Sequence, residues 1–145
     1  MIFVDTSFLY PLFSANDPDH RRVAEVLESY RDRRARDLFV TSNHVVAETM
    51  TLIRMTPPRS HTAAVRAADN LYAETLGRVH WASMGEERAA FAYFKQHQDK
   101  EYSFVDCLSF VLMDKLGIHE ALAVDSDFTH RFHRAPGSAR EVARP

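Results

Sequence analysis

Five acidic residues stand where an acid is costly. Asp5 closes the apolar run Ile2-Phe3-Val4, and Asp125 closes ALAV in the same way, with Asp127 two positions further on. In NHVVAETMTLI, Glu48 shares the i, i+3, i+7 stripe of Val45 and Leu52, the face a helix turns toward a core. Asp106 is embedded in YSFVDCLSFVLM, among Phe104, Leu108, Phe110, Val111 and Leu112. A buried carboxylate is expensive unless it is paired, hydrogen-bonded or metal-bound. Each acid also has a local explanation. Asp5 can cap a helix, Asp106 can complete a capping box with Ser103, Glu48 can pair with Arg54 or a more distant Arg, and Asp125 with Asp127 suits a turn.

Taken jointly, the acids point to one place. Two lie at carboxyl ends of strands and two in or near the first turns of helices, positions that converge on one lip of an α/β sheet. Carboxylates sharing a cleft raise one another's pKa, so the set calls for a cation. Ligands that are all oxygen favour Mg²⁺ or Mn²⁺ over zinc. The chemistry this suits is attack of a metal-activated water on a phosphodiester.

Rival chemistries have less to stand on. His130 and His133 have the spacing of a zinc pair, yet no HExxH or CxxC accompanies them. Cys107, the single cysteine, lies on an apolar helix and reads as an inert buried thiol. Neither a glycine-rich phosphate loop nor GxSxG occurs.

The elements that must position these acids alternate. The run at 2–4 reads as a strand buried on both faces. Asp17-Pro18 opens an amphipathic helix expected to reach about residue 35, and LFVT at 38–41 is a second strand. Ser42 caps a helix from Asn43 to Met55, stopped by Thr56-Pro57-Pro58, and Ser60 opens another that runs to Gly77. RVHWA is a third strand, Ser83 and Glu86 box a helix to about residue 98, Ser103 caps a helix ending at Gly117, and ALAVD is a fourth strand. Alternation of this kind implies a mostly parallel sheet covered by helices. One domain over residues 1–135 is expected, with 136–145 as a flexible tail.

Bulk properties agree. The chain has 145 residues, 46% hydrophobic and 26% charged, enough for one core and unlike a disordered chain. Its longest apolar runs fall far short of the roughly 20 residues of a membrane helix. A lone cysteine and the lack of a basic, apolar leader fit a cytoplasmic protein. Net charge is -2, so any affinity for nucleic acid must come from local patches. Arg21, Arg22, Arg31, Arg33, Arg34 and Arg36 cluster around one helix, and Arg suits phosphate recognition. Arg33 and Arg34 are the candidates for RNA binding; a solvated helix face is the alternative.

DTS at 5–7, the helical Glu48, YSFVDCLSFVLM and LAVDSDF, in this order across nearly the whole chain, resemble the PIN-domain family, in particular its VapC-type toxin ribonucleases. The resemblance implies a three-layer α/β/α sandwich with a central, mostly parallel sheet. It implies divalent-metal-dependent cleavage of RNA, a homodimer, and inhibition by a small antitoxin. The family's four acids match Asp5, Glu48, Asp106 and Asp125, as catalytic and metal-holding residues. Asp127 is a possible accessory, and Thr6 and Ser7 match hydroxyls that orient metal-bound water or contact phosphate. One departure is Ala123, where the family usually has Thr. Single-stranded or looped RNA is the expected substrate, because a duplex cannot enter a narrow cleft. The crowded Phe8, Leu9, Tyr10, Leu12 and Phe13 cannot all turn inward from one short helix, which leaves apolar surface for the antitoxin or for a second copy. Two other readings compete: a non-catalytic RNA-binding or protein-interaction module on the same fold, and a phosphatase of the haloacid-dehalogenase type. The latter needs an Asp where Ser7 stands.

Overall fold

The computed structural model describes residues 1–32, 35–129 and 133–136. Strand β1 (Ile2–Val4) leads into helix α1 (Thr6–Leu12), then α2 (His20–Glu28), the one-turn α3 (Ala35–Leu38) and β2 (Phe39–Ser42). Helices α4 (Asn43–Met55) and α5 (His61–Tyr72) precede β3 (Arg78–His80), and α6 (Met84–Gln96) and α7 (Phe104–Leu116) precede β4 (Glu120–Ala123). A 3₁₀ turn at Ser126–Phe128 and β5 (His133–Pro136) follow. The sheet runs β3-β2-β1-β4-β5 with every pairing parallel. Every residue of β1 and β2 is buried. Strands without an exposed side need helices on both faces, and the result is the three-layer α/β/α sandwich. No helix among the described residues is long and apolar enough to cross a membrane.

The order β2-β1-β4 places the positions after β1 and β4 side by side at the sheet's carboxyl edge. The register fixes this closely: Val4 pairs with Leu122, and the Asp5 amide continues the ladder onto the Leu122 carbonyl at 3.0 Å. Packing behind this edge is tight. Phe3, Phe8, Phe39, Phe110 and Phe128 are all fully buried, and Phe110 meets Phe128 edge-on at 5.1 Å. Gly77 is required at the entry to β3. Its φ is +133°, and a Cβ there would stand 2.7 Å from Phe39 Cβ.

Three expectations need correction. Helix α2 starts at His20, because Asp17 accepts the Asp19 amide at 2.8 Å in a turn of its own, and it stops at Glu28. Tyr30 then leaves the helix to meet the Phe39 ring edge-on at 5.3 Å. Helix α5 ends at Tyr72, short of Gly77. A fifth strand, HRAP, closes the sheet where the sequence reading assigned none; its proline is tolerated because β5 is an edge strand. The sheet thus reaches Pro136, one residue past the expected boundary, and 137–145 lie outside the described residues.

Candidate active site

Three of the acids are fixed by the caps they make. Asp5 ends β1 and caps α1, its Oδ2 accepting the Ser7 amide at 2.9 Å. Asp106 and Ser103 complete the capping box of α7, at 2.8 Å to the Ser103 amide and 3.0 Å from the Asp106 amide to Ser103 Oγ. Asp125 caps the 3₁₀ turn, accepting the Asp127 amide at 3.0 Å. Glu48 accepts from Thr6 Oγ1 at 2.6 Å rather than pairing with Arg54, whose Nη1 donates to the Arg59 carbonyl. The local roles read from the sequence are therefore real for Asp5, Asp106 and Asp125, and they are compatible with a shared site, since a cap uses one carboxylate oxygen and sets the direction of the other.

These side chains meet in one cleft of about 340 Å³, lined by Asp5, Thr6, Ser7, Glu48, Asp106, Asp125 and Asp127. Sequence reasoning missed four further lining residues, Tyr10, Leu52, Glu101 and Ser103. Glu101 had no signal, because it lies in an exposed connection before α7; Leu52 was legible as the next turn of the Glu48 stripe. The two hydroxyls behind Asp5 serve protein groups. Thr6 holds Glu48, and Ser7 Oγ accepts the amides of Val124 and Asp125 at 3.0 and 3.2 Å, tying α1 to the end of β4. Arg33, Arg34 and His130 lie outside the described residues, as does the side chain of His133.

The electrostatics of the cleft are those of a cation site. Burial pushes the Asp5 carboxyl up to about 7, against the hydrogen bonds from Ser7 and with help from the charges of Asp106 and Glu48. Asp106 is pushed up to about 6, again chiefly by burial, with Asp127 and Asp125 adding to the shift. Asp5 Oδ1 is buried with no hydrogen-bond partner. Glu86, equally buried, behaves in the opposite way: burial alone would raise it, but Lys115 at 2.5 Å, the Ser83 amide and His80 at 3.0 Å outweigh that and bring it down to about 2. One buried acid has a lysine beside it, and the other has carboxylates for neighbours.

The donor set of the cleft is oxygen only, with one orphaned buried carboxylate oxygen, and this fits a hard divalent ion. Among the described residues no three His, Cys, Asp or Glu side chains are gathered as a ready cage. An ion of the Mg²⁺ kind needs none, because it keeps several waters and takes only one or two carboxylates directly. Cys107 plays no part; it is buried, and burial foremost, then the Asp106 charge, push its thiol up to about 11.

A parallel three-layer sandwich with carboxylates at its carboxyl edge defines a class, and sequence comparison narrows it. Residues 2–132 match the PIN domain. The 23S rRNA-specific endonuclease VapC20 of Mycobacterium tuberculosis, in strains H37Rv and CDC 1551 / Oshkosh, is 40% identical over 129 residues, which are 89% of this chain and 92% of that protein. The crystal structure of M. tuberculosis VapC20, described as a sarcin-ricin loop cleaving toxin, superposes with a TM-score of 0.78 at 38% identity, covering 90% of this chain and 94% of that one. The chain belongs to the PIN-domain family, as a VapC-type toxin ribonuclease.

Proposed function

We propose that this protein cleaves a looped RNA, of the kind formed by the sarcin–ricin loop of 23S rRNA, with Mg²⁺ or Mn²⁺ held by Asp5, Glu48, Asp106 and Asp125. The observation that carries the reading is the pair of raised acids, buried Asp5 and half-buried Asp106, in a cleft where no basic side chain is among the described lining residues. A bound divalent ion supplies Lewis acidity, which activates water and steadies the departing oxygen. The chain's own part is placement. Ser103 and Ser7 aim Asp106 and Asp5, Thr6 restrains Glu48, and Ser7 sets the β4 end that bears Asp125, with Asp127 beside it as an accessory. Arg33 and Arg34 guide the RNA backbone.

An antitoxin is the proposed partner. A groove of about 320 Å³ beside the cleft is lined by Tyr10, Phe13, Ile53, Pro57, Pro58 and Ala63, and Tyr10 belongs to both cavities. An apolar segment laid there brings a Lys or Arg within reach of the carboxylates, replacing the metal's charge. The sequence expectation is refined: Phe8 and Leu9 are core, while Tyr10 and Phe13 form the surface. A homodimer is supported by exposed Tyr72, Trp81, Met84, Phe91 and Phe94, more large apolar surface than scattered residues explain. The site of action is the cytoplasm. The test is cleavage of a synthetic sarcin–ricin hairpin with Mg²⁺ or Mn²⁺: metal-dependent cutting is expected, and intact RNA at high protein concentration with either ion overturns the reading.

A further inference from the structure

RNA carries phosphates on both sides of the one being cut, and a wall of carboxylates repels them, so the strand must be held by contacts to its sugars and bases beside the cleft. His44 does not line the cleft itself, but it touches Phe104, the neighbour of a lining residue. It precedes Glu48 by four residues on α4, so the two side chains share a face one turn apart. Its Nε2 bonds Glu87 Oε1 of α6 at 2.8 Å, which assigns this nitrogen the proton, because a carboxylate accepts. The ring also meets Phe104 of α7, with centroids 6.0 Å apart and planes at 59°. Phe104 directly follows Ser103, which lines the cleft, and precedes Asp106 by two residues. Three helices therefore hold the imidazole one turn from Glu48 and beside the residue that follows Ser103.

The side chain is 26% exposed, and Nδ1 has no hydrogen-bond partner among the described residues. A tether between α4 and α6 needs only one polar atom, and Nε2 already supplies it. The second nitrogen and the aromatic face shared with Phe104 are left for something outside the protein. We infer that His44, oriented by Glu87 and Phe104, is a substrate contact: Nδ1, the unprotonated nitrogen of this tautomer, accepts from the ribose 2′-hydroxyl of the nucleotide next to the scissile phosphate, and the His44–Phe104 pair receives its base. Splayed single-stranded nucleotides are recognised by this combination of stacking and polar contact. His44 binds and places the strand; it does not cleave it.

This inference rests on the ribonuclease reading, and the test separates the two. Binding of the sarcin–ricin hairpin is measured by fluorescence anisotropy in an Asp5→Asn background, and steady-state cleavage is measured in the otherwise wild-type chain. His44→Ala is expected to weaken binding about five- to tenfold, the loss of one hydrogen bond and a stacking face. It should raise KM in proportion and lower kcat by less than about twofold. His44→Asn, whose amide oxygen can accept close to where Nδ1 does, is expected to recover part of the affinity. Hairpin affinity within twofold of the parent in His44→Ala, or a fall in kcat and melting temperature with KM unchanged, overturns the contact and leaves a structural tether. Absence of binding and cleavage in the wild-type chain removes the ribonuclease reading itself, and the contact with it.

Discussion

At the scale of residues, two acids are buried among the described residues, and they differ in one respect. Glu86 is surrounded by Lys115 and His80 and is stable as an anion, whereas Asp5 is next to Asp106 and Glu48 and has an unpartnered oxygen. Removing the charge at Asp5 or Asp106 is expected to end cleavage, with a loss on the order of a hundredfold or more, since disturbing even an outer partner of a metal ligand costs 10–100-fold. Asp5→Asn and Asp106→Asn should fold normally, and their melting temperatures should equal or exceed the parent's without metal, because repulsion is relieved. Full activity in both variants would remove these acids from the site. The same shifts set a pH dependence. Asp5 is raised from 3.8 to about 7 and Asp106 from 3.8 to about 6, so the folded state binds more protons than the unfolded one across that interval, and stability falls as pH rises through it. Glu86, lowered from 4.5 to about 2, contributes stability that is complete above its ordinary value and is lost only in acid. Between about pH 5 and pH 7.5 the carboxylates of the cleft therefore dominate among these three. Melting of the metal-free protein should decline over that window, Asp5→Asn should flatten the decline, and Mn²⁺ should reverse it at the upper end.

At the scale of elements, helix starts aim the site. Ser103 begins α7 and sets the Asp106 carboxylate with two reciprocal hydrogen bonds. Ser103→Ala should cost about 1 kcal/mol in urea denaturation, the usual loss of a helix cap. It should also weaken Mn²⁺ binding measured by calorimetry, because Asp106 loses its restraint. Loss of stability without loss of metal affinity would confine Ser103 to the helix. Ser83 gives an internal comparison: it makes the same box with Glu86 at the start of α6, away from the cleft, so Ser83→Ala should lower stability and leave metal affinity alone.

For the whole molecule, the acid cleft and the apolar groove meet at Tyr10, so catalysis and inhibition are proposed to share a border. Phe13→Asp should block co-purification with the proposed antitoxin when the two are co-expressed, while hairpin cleavage by the free protein persists; retained association would move the partner elsewhere. Arg33 and Arg34 are tested through salt. If both contact phosphates, replacing the pair with Ala should flatten the dependence of log affinity on log salt by roughly 0.7 for each lost contact on single strands. An unchanged slope would return them to a solvated face.

The sequence by itself determined much of this protein. An unbroken apolar run ending in Asp, a charge on a helix's apolar stripe and a serine three residues before Asp106 are local patterns, and local patterns survive without knowledge of the fold. They sufficed for the parallel sandwich, and they singled out Asp5, Glu48, Asp106 and Asp125, which the fold gathers in one cleft. What they left open was partnership. That Thr6 holds Glu48, 42 residues away, and that Ser7 accepts the amides of Val124 and Asp125 depends on which strands lie side by side, and strand order follows from the packing of the entire chain. The strand HRAP escaped notice because an edge strand need bury only one side and tolerates proline, so it carries a weak pattern. The difference between Asp5 and Glu86 was equally beyond the sequence: both read as capping acids, and only the tertiary structure put Lys115 and His80 beside one and carboxylates beside the other, because Coulomb energies depend on distances through space rather than along the chain.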